Sequence, residues 1–360
     1  MSCPLLSDQL LLTCLSQNLV ELHLTLYSDD QSQLNFDMDR LSGMSKLQQM
    51  HINSICQTRT WTTQGLLSSL TALEGFTFLG DSMMVGPLMT ALGSLPKLTA
   101  LTTSHIPGDR IEPYSTHFTA LKRLVMKYSE RDASVLHIAV GPSLSSLCKL
   151  SLSKCHVVST PVPFKYLSSL TKVSFDGCEF VLDESVWLSE ALEGATQIQS
   201  LAVDSTLTHD IPNSVCQMVG LKQLRMQYTL LSDLPPEFAQ LRHLEDLDLP
   251  YNKLSGLPTI LEQMTHLRNI NLRFASDTMQ LTRPMTFLSA FANLESLCLS
   301  SPPTAWSSVS SFHTAWSSVA SSRLYSKRLS SIVCLKPSLI FHIACRLQLV
   351  TFATVLDIMS

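Results

Sequence analysis

Histidine side chains are the residues of this sequence best suited to binding a metal. His23 and His51 lie 28 residues apart, and the repeat described below places them at one position of two neighbouring units. Imidazole nitrogens bind transition metals, but a stable site normally includes further His, Cys or carboxylate ligands. The pattern offers no carboxylate or cysteine that completes such a set here. The sequence therefore predicts no metal site.

The cysteines and serines do not form a recognisable catalytic arrangement. Among the ten cysteines, Cys148, Cys155 and Cys178 have no base positioned beside them by the pattern. His209 and Asp210 precede an Ile-Pro step that indicates a turn, not a catalytic dyad. GxSxG, P-loop and GxGxxG motifs do not occur. We therefore expect neither an enzyme nor a cofactor.

Composition favours a protein partner. Hydrophobic residues make up 45% of the 360 residues and charged residues 15%, against about 25% charged residues in a typical soluble protein. The chain must therefore bury much apolar surface per residue. Its net charge is −4, whereas a nucleic-acid-binding protein usually carries a concentrated basic face. We expect another protein, and no nucleic acid, as the partner.

The cysteine positions and the N-terminus favour a cytoplasmic location, which is compatible with cytoskeletal association. Cysteines at repeated apolar positions are typical of reduced thiols. The first residues, MSCPLLSDQLLLTCLSQ, have no basic n-region, and Asp8 interrupts their apolar run, so no signal peptide is predicted. Glycosylation sequons and paired capping cysteines, which would favour an extracellular location, are missing from the sequence.

The elements that must position these residues are short strands of a repeat about two dozen residues long. The clearest unit, LRHLEDLDLPYNKLSGLPTILEQM, begins at Leu241 and reads LxxLxLxxNxLxxLPxxL. Its LxxLxL core recurs twelve times at spacings of 23 to 28 residues. The twelve cores are Leu19/Leu22/Leu24, Leu47/Met50/Ile52, Leu73/Phe76/Phe78, Leu98/Leu101/Thr103, Leu121/Leu124/Met126, Leu147/Leu150/Leu152, Leu170/Val173/Phe175, Ile198/Leu201/Val203, Leu221/Leu224/Met226, Leu244/Leu247/Leu249, Leu267/Ile270/Leu272 and Leu294/Leu297/Leu299.

Each core predicts a short strand with one buried face, because its apolar positions alternate with polar ones. The rest of the unit must return to start the next strand, so consecutive strands pair in parallel about 4.8 Å apart. A single repeat cannot bury its own apolar side, and stability therefore depends on stacking.

This pattern resembles the leucine-rich-repeat family. The resemblance implies an α/β solenoid, a horseshoe with a parallel β-sheet on the concave face and short helical or irregular return segments on the convex face. The stretches LTHDIP, ending at Pro212, and LSGLP, ending at Pro258, are similar to the return segments of plant and algal intracellular members.

The resemblance also implies a ladder of side chains at the turn after each strand. An Asn in this slot bonds to backbone groups that the turn leaves without partners. Asn252 fills the slot in the clearest unit, and Cys and Thr are common substitutes in the family. The expected turn ladder consists of Cys155, Cys178, Thr206, Thr229 and Asn252.

Partners of this family bind to exposed strand positions of the concave face. One column of such positions holds Tyr228, Tyr251 and Phe274 at 23-residue spacing, with Tyr128 in an earlier unit. Aromatic and Arg side chains bury a large area at low entropic cost, which favours a binding patch. The predicted patch contains Tyr128, Arg225, Tyr228, Asp248, Tyr251, Asn271, Arg273 and Phe274.

An alternative interpretation of the same columns is structural. Arg225 with Asp248, and Lys222 with Glu245 and Arg268, would then be cross-strand ion pairs, and the aromatics would only shield the strand ends.

The chain is divided into a leucine-rich-repeat domain over 1–300, a Ser-rich low-complexity linker over 301–330 and an apolar segment over 331–360. The last segment is interpreted as a cap, a membrane anchor or a gene-model artefact. An anchor over 337–356 is disfavoured, because Arg346 near its middle would cost about 2.5–3.5 kcal/mol.

The expected function is a non-enzymatic protein-binding scaffold in signalling or complex assembly. The alternative is a fragment of a larger plant-type receptor, or of an immune or ubiquitin-ligase adaptor, whose effector domain is missing.

Overall fold

The fold is known from a computed structural model that describes most of the repeat region in segments. The described residues are 18–26, 35–37, 43–54, 60–62, 69–80, 91–104, 118–127, 135–136, 144–157, 163–180, 183–206, 208–254, 257–273, 291, 293–300 and 331–332. The chain divides into two compact units, Met1–Leu221 and Lys222–Ser360, and each unit is described by itself.

Short parallel strands dominate the first unit. Its described strands are β1 (Glu21–Leu26), β2 (Asn35–Asp37), β3 (Gln49–Ser54), β4 (Thr60–Thr62), β5 (Gly75–Gly80), β6 (Ala100–Thr103), β7 (Arg123–Lys127), β8 (Val135–Leu136), β9 (Lys149–Ser153), β10 (His156–Val157), β11 (Lys172–Asp176), β12 (Glu179–Phe180) and β13 (Ser200–Asp204). The main sheet is formed by β1, β3, β5, β6, β7, β9, β11 and β13 in that order, with one strand from each repeat.

The register of this sheet follows the consensus positions. Leu22 lies opposite Met50, and Val173 lies between Leu150 and Leu201. The second consensus residue is buried in each of these repeats. Equivalent apolar residues therefore stack on one side of the sheet, as the period-two pattern predicts.

Additional strands in the return segments were not predicted from the sequence. Strand β2 pairs in parallel with β4, and β10 pairs in parallel with both β8 and β12. These strands have two or three residues, too few for an alternating pattern to be recognised. The return segments therefore contain these short strands besides the helical and irregular stretches that the resemblance implied.

Helices occupy the last return segments of the first unit. Helix α1 spans Glu184–Leu192, α2 spans Asn213–Cys216, and the 3-10 helix η1 spans Phe164–Tyr166. The carboxylate of Asp183 caps α1 by accepting hydrogen bonds from the backbone N–H groups of Ser185 and Val186. Such a cap satisfies donors that the first helical turn leaves without partners.

The second unit repeats the same arrangement, with its first four strands at intervals of 23, 23 and 27 residues and the fifth 35 residues further on. Its described strands are β14 (Gln223–Arg225), β15 (Asp246–Asp248), β16 (Asn269–Arg273), β17 (Ser296–Ser300) and β18 (Ser331–Ile332). All pair in parallel in that order. Leu224, Leu247 and Ile270 are opposite one another and are 1%, 1% and 3% exposed, which confirms their inward orientation.

The return segments of the second unit begin at Leu-Pro steps. Pro235 precedes the 3-10 helix η2 (Pro236–Gln240) and Pro258 precedes η3 (Thr259–Gln263). Proline has a fixed φ that suits the start of a helical turn and lacks an N–H that would need a partner there. Among the consensus leucines of this return segment, Leu254 and Leu261 are buried, whereas Leu257 is half-buried.

The proposed linker over 301–330 and most of the segment 331–360 lie outside the described residues, so the division at residue 300 stays a prediction. Among the helices that the structure describes, none has both the length and the apolar character needed to cross a bilayer.

Candidate partner-binding surface

A left-handed turn follows the strands that carry the predicted tyrosines. Tyr228 and Tyr251 have φ angles of 53° and 57°, and each directly precedes the residue in the turn slot. The same repeat position has positive φ at Lys154, Gly177 and Ser205. This conformation disfavours most L-residues by about 1–2 kcal/mol. Its recurrence at five positions with four residue types indicates that the repeat, and not the individual residue, imposes it.

The left-handed turn allows one more backbone hydrogen bond per repeat. The N–H of Tyr228 donates to the Pro250 carbonyl at 3.2 Å, and the N–H of Tyr251 donates to the Arg273 carbonyl at 2.9 Å. Lys154 makes the equivalent bond to the Asp176 carbonyl at 2.7 Å. The hydrogen-bond ladder thus extends past the end of these three strands before the chain turns.

The two tyrosines form an exposed stacked pair. Their ring centroids are 4.3 Å apart with an interplanar angle of 4°, and the residues are 54% and 38% exposed. Partial desolvation raises the pKa of the Tyr228 hydroxyl, and the neighbouring Tyr251 raises it further. Phe274 and Tyr128, which the sequence places in the same column, lie outside the described residues.

Hydrogen bonds organise the polar side chains beside this pair. The amide of Asn271 donates to the Asp248 carboxylate at 2.6 Å, and the backbone N–H of Arg273 donates to the Asn271 side-chain oxygen at 3.1 Å. Arg225 lies directly opposite Asp248 in the register. These four predicted residues therefore lie on neighbouring strands of one exposed sheet face.

A further polar column was missed in the sequence. Asp246 accepts hydrogen bonds from the side-chain amides of Gln223 at 2.7 Å and Asn269 at 2.6 Å. All three residues immediately precede the second consensus position of their repeats. Their shared position in the repeat could have identified these residues from the sequence, since residues opposite one another on neighbouring strands normally interact.

An ion-pair ladder borders the polar columns. The guanidinium of Arg268 lies 3.2 Å from the Glu245 carboxylate and 2.9 Å from that of Glu295. All three side chains are about half exposed, and exposed pairs of this kind contribute about 0–1 kcal/mol. The contacts of Arg268 with Glu245 and Glu295 therefore agree with the structural alternative.

Asn252 is the most extensively bonded residue of the turn slot. Its side-chain amide donates to the carbonyls of Met226 at 2.7 Å and Leu249 at 3.1 Å. Its oxygen accepts from the backbone N–H of Leu231 at 3.2 Å and from the Thr229 hydroxyl. Because Asn252 is buried, these bonds take the place of hydrogen bonds to water for backbone groups of two adjacent repeats.

Smaller side chains make fewer bonds in the same slot. The Cys155 thiol donates to the Ser153 carbonyl at 3.4 Å, and the Cys178 thiol donates to the Leu152 carbonyl at 3.5 Å. The Thr206 hydroxyl lies 3.0 Å from that of Thr208. A hydrogen bond with the Cys155 side chain lowers the pKa of Cys178, and burial opposes this effect.

The expectation that no carboxylate or cysteine completes a ligand set with His23 and His51 is wrong, because Glu21 lies beside them. Glu21 places a carboxylate oxygen 2.9 Å from Nε2 of His23 and 4.0 Å from Nε2 of His51. His23 and His51 share one column of the repeat, whereas Glu21 belongs to the adjacent column on the same strand. Residues two apart on a strand share a face, which is the signal that could have found it.

The first unit also carries a basic column. Arg123 lies opposite Lys149, and Lys149 lies opposite Lys172. Partial burial lowers the pKa of Lys149, and the charges of Arg123 and Lys172 lower it further. A net charge of −4 therefore coexists with a locally basic surface, so net charge alone was a weak argument about partners.

Parallel strands in repeat register, a buried turn slot and short return helices together define the leucine-rich-repeat fold. No family model and no curated protein sequence matches the chain. Solved structures do match. A leucine-rich-repeat protein of Leptospira interrogans is 19% identical, with a TM-score of 0.55 over 72% of this chain and 62% of that protein. This chain thus spans less than two thirds of that protein's length.

A second similar structure is an internalin, inlF, from Listeria monocytogenes. It is 16% identical, with a TM-score of 0.52, and the match covers 85% of this chain and 86% of the internalin. At these identities the similarity establishes the fold. The α/β solenoid of leucine-rich-repeat type is thereby confirmed.

Proposed function

We propose that this chain is a non-enzymatic scaffold that binds another protein on the exposed strand face of its second unit. The observation that carries the proposal is the solvent-exposed stack of Tyr228 and Tyr251. Both rings stand on turns whose backbone would be less strained with glycine. An apolar stack on a strained turn contributes little to the core, so a role in contact with a partner accounts for it best.

The groups next to the stack suit a protein segment that carries both apolar and polar side chains. Arg225, Asp248 and Asn271 lie opposite one another on the neighbouring strands and present charged and amide groups beside the two rings. Tyrosine and arginine are also enriched among the residues that dominate binding energy at interfaces.

A cytoplasmic site of action is part of the proposal. The described cysteines, at positions 148, 155, 178, 216 and 298, are thiols, which supports a reducing compartment. The plant-type resemblance of the LTHDIP and LSGLP stretches and a role in signalling or complex assembly belong to the same proposal.

The test is affinity capture with the full chain, comparing wild type with the double variant Tyr228→Gly/Tyr251→Gly. Gly177 occupies the same turn position, so the glycines should relieve about 1–2 kcal/mol of backbone strain per site. Losing the stacking between the two rings costs about 0.5–1.5 kcal/mol, which offsets part of that gain. We expect unchanged or slightly raised stability in thermal unfolding, together with loss of the bound partner.

Tyr166→Ala is the matched control. Tyr166 is a tyrosine with 63% exposure in the return helix η1 of the first unit, and it is not part of the strand face. The proposal requires partners that Tyr166→Ala retains and the glycine variant loses. A partner set that is the same for all three proteins would remove the tyrosine stack from consideration.

A further inference from the structure

Three potential metal ligands converge on the exposed face of β1 and β3. Glu21 and His23 are two residues apart on β1 and therefore share a face. His51 on β3 lies directly opposite His23 in the register. The two imidazole rings are stacked with centroids 4.4 Å apart and an interplanar angle of 11°. One ligand atom from each of the three residues lies within 4.8 Å of the other two.

We infer that Glu21, His23 and His51 form a binding site for a divalent transition metal, with Zn²⁺ the best-suited ion. Two imidazole nitrogens and one carboxylate oxygen are typical zinc ligands, and zinc sites of three protein ligands take water in the fourth position. Imidazole-rich sets favour zinc, copper and nickel over calcium and magnesium, which prefer oxygen.

The distances are compatible with this ligand set. Ligands about 2.0–2.1 Å from a tetrahedral zinc lie about 3.3 Å from each other. The carboxylate of Glu21 is 2.9 Å from one imidazole and 4.0 Å from the other. The side chains of Glu21, His23 and His51 are 57%, 61% and 36% exposed, so they have room for the small shifts that coordination requires.

A metal bound here would connect two consecutive repeats of the first unit. Because His23 and His51 belong to neighbouring strands, one ion would link β1 to β3 through side chains. Binding to the folded state alone would then raise its stability. The inference is independent of the proposed partner site, which lies in the second unit.

The experiment is a titration of the chelator-treated full chain with Zn²⁺, in competition with a chromophoric chelator at pH 7.5. We expect wild type to bind one equivalent at this site. His51→Gln and Glu21→Gln should each weaken that binding at least tenfold. Thermal unfolding provides a second measurement, since Zn²⁺ should raise the melting temperature of wild type more than that of either variant.

The matched control is His156→Gln. His156 pairs with Glu179 at 2.8 Å, which gives one imidazole and one carboxylate on a similarly exposed pair. This variant should bind Zn²⁺ as wild type does. Far-UV circular dichroism establishes whether each variant is folded. If His51→Gln does not fold, Glu21→Gln remains as the test variant, because Glu21 is more exposed than His51. Equal affinity in wild type and the folded variants, or no binding by wild type, would overturn the inference.

Discussion

Backbone conformation at single residues determines which side chains this repeat displays. The turn after the strand is left-handed at Tyr228 and Tyr251, as it is at Gly177. A residue at this position is outside the apolar stack and yet held by a backbone hydrogen bond to the next strand. Its side chain can therefore vary in size without changing the core, and the tyrosines use that freedom at the cost of some strain.

Asn252 should be the most sensitive residue of the turn slot. Replacing it with Ala leaves the Met226 and Leu249 carbonyls and the Leu231 N–H without their side-chain partner. An unsatisfied buried group costs about 1–3 kcal/mol. We expect Asn252→Ala to lower the free energy of unfolding by at least about 3 kcal/mol, measured by urea unfolding of the full chain.

Asn252→Thr is the control for that prediction. Thr206 and Thr229 occupy the same slot in buried positions, and their hydroxyls can replace part of the amide's bonding. The Thr variant should lose clearly less stability than the Ala variant. Equal losses, or a loss below about 1 kcal/mol for Asn252→Ala, would show that the slot tolerates missing hydrogen bonds.

Lys149 should destabilise the first unit at neutral pH. It lies between Arg123 and Lys172 on neighbouring strands, and like charges in opposed positions are unfavourable by about 0.2–1 kcal/mol. We expect Lys149→Gln to be more stable than wild type by about that amount at pH 7, measured by urea unfolding. Lys127→Gln is the control, because Lys127 lies opposite Ser153.

The stability difference between Lys149→Gln and wild type should depend on pH in a definite direction. The folded-state pKa of Lys149 lies below its ordinary value of 10.5, so the unfolded chain binds more protons between these two values. Wild type therefore gains stability as pH rises through that window, and the advantage of Lys149→Gln should shrink. A variant that is less stable than wild type at pH 7 would contradict the argument.

At the scale of elements, α1 is held by an aromatic cluster. Trp187 is 1% exposed and packs against Phe175 and Phe180 with ring centroids 5.5 Å and 4.6 Å away. Phe164 contributes an edge contact at 6.5 Å. The helix therefore packs on both the main strand β11 and the short strand β12, which fixes the return path of this repeat.

Trp187→Ala should lower the free energy of unfolding by about 3–5 kcal/mol, because it removes the largest side chain of a closed cluster. Urea unfolding monitored by circular dichroism measures the effect. Val186 follows the same cap in α1 and is 48% exposed, so Val186→Ala should change stability by less than about 0.5 kcal/mol. Similar losses in both variants would contradict the packing argument.

Strands of the main sheet were predictable from the sequence, whereas their connections were not. Consensus leucines such as Leu224 and Leu247 mark the buried face of each strand, and burial fixes the register. Short strands such as β10 (His156–Val157) depend on whether neighbouring return segments run side by side. Return segments of varying length carry no shared pattern that reveals this.

The candidate sites were only partly predictable for a related reason. Columns at repeat spacing identified Tyr228 and Tyr251, since equivalent positions stack. Contacts between different columns, such as Glu21 with His51, depend on side-chain direction and distance across two strands. Spacing along one column does not contain that information.

For the whole molecule, the leucine-rich-repeat fold is shared with proteins that are only 16% to 19% identical. What these chains have in common is the architecture, and apolar stacking tolerates extensive substitution as long as volume and pattern are kept. Surface columns are free of that constraint. Fold similarity therefore carries little information about binding, and the exposed residues must be tested directly.

The recurring left-handed turn also makes this chain suitable for engineering. Positions 154, 177, 205, 228 and 251 share one backbone conformation, and each already differs in chemistry from at least three of the others. A combinatorial library that randomises them would explore new recognition specificities while leaving the leucine interior intact. Asparagine and glycine, which tolerate this conformation best, should be over-represented in the most thermostable clones.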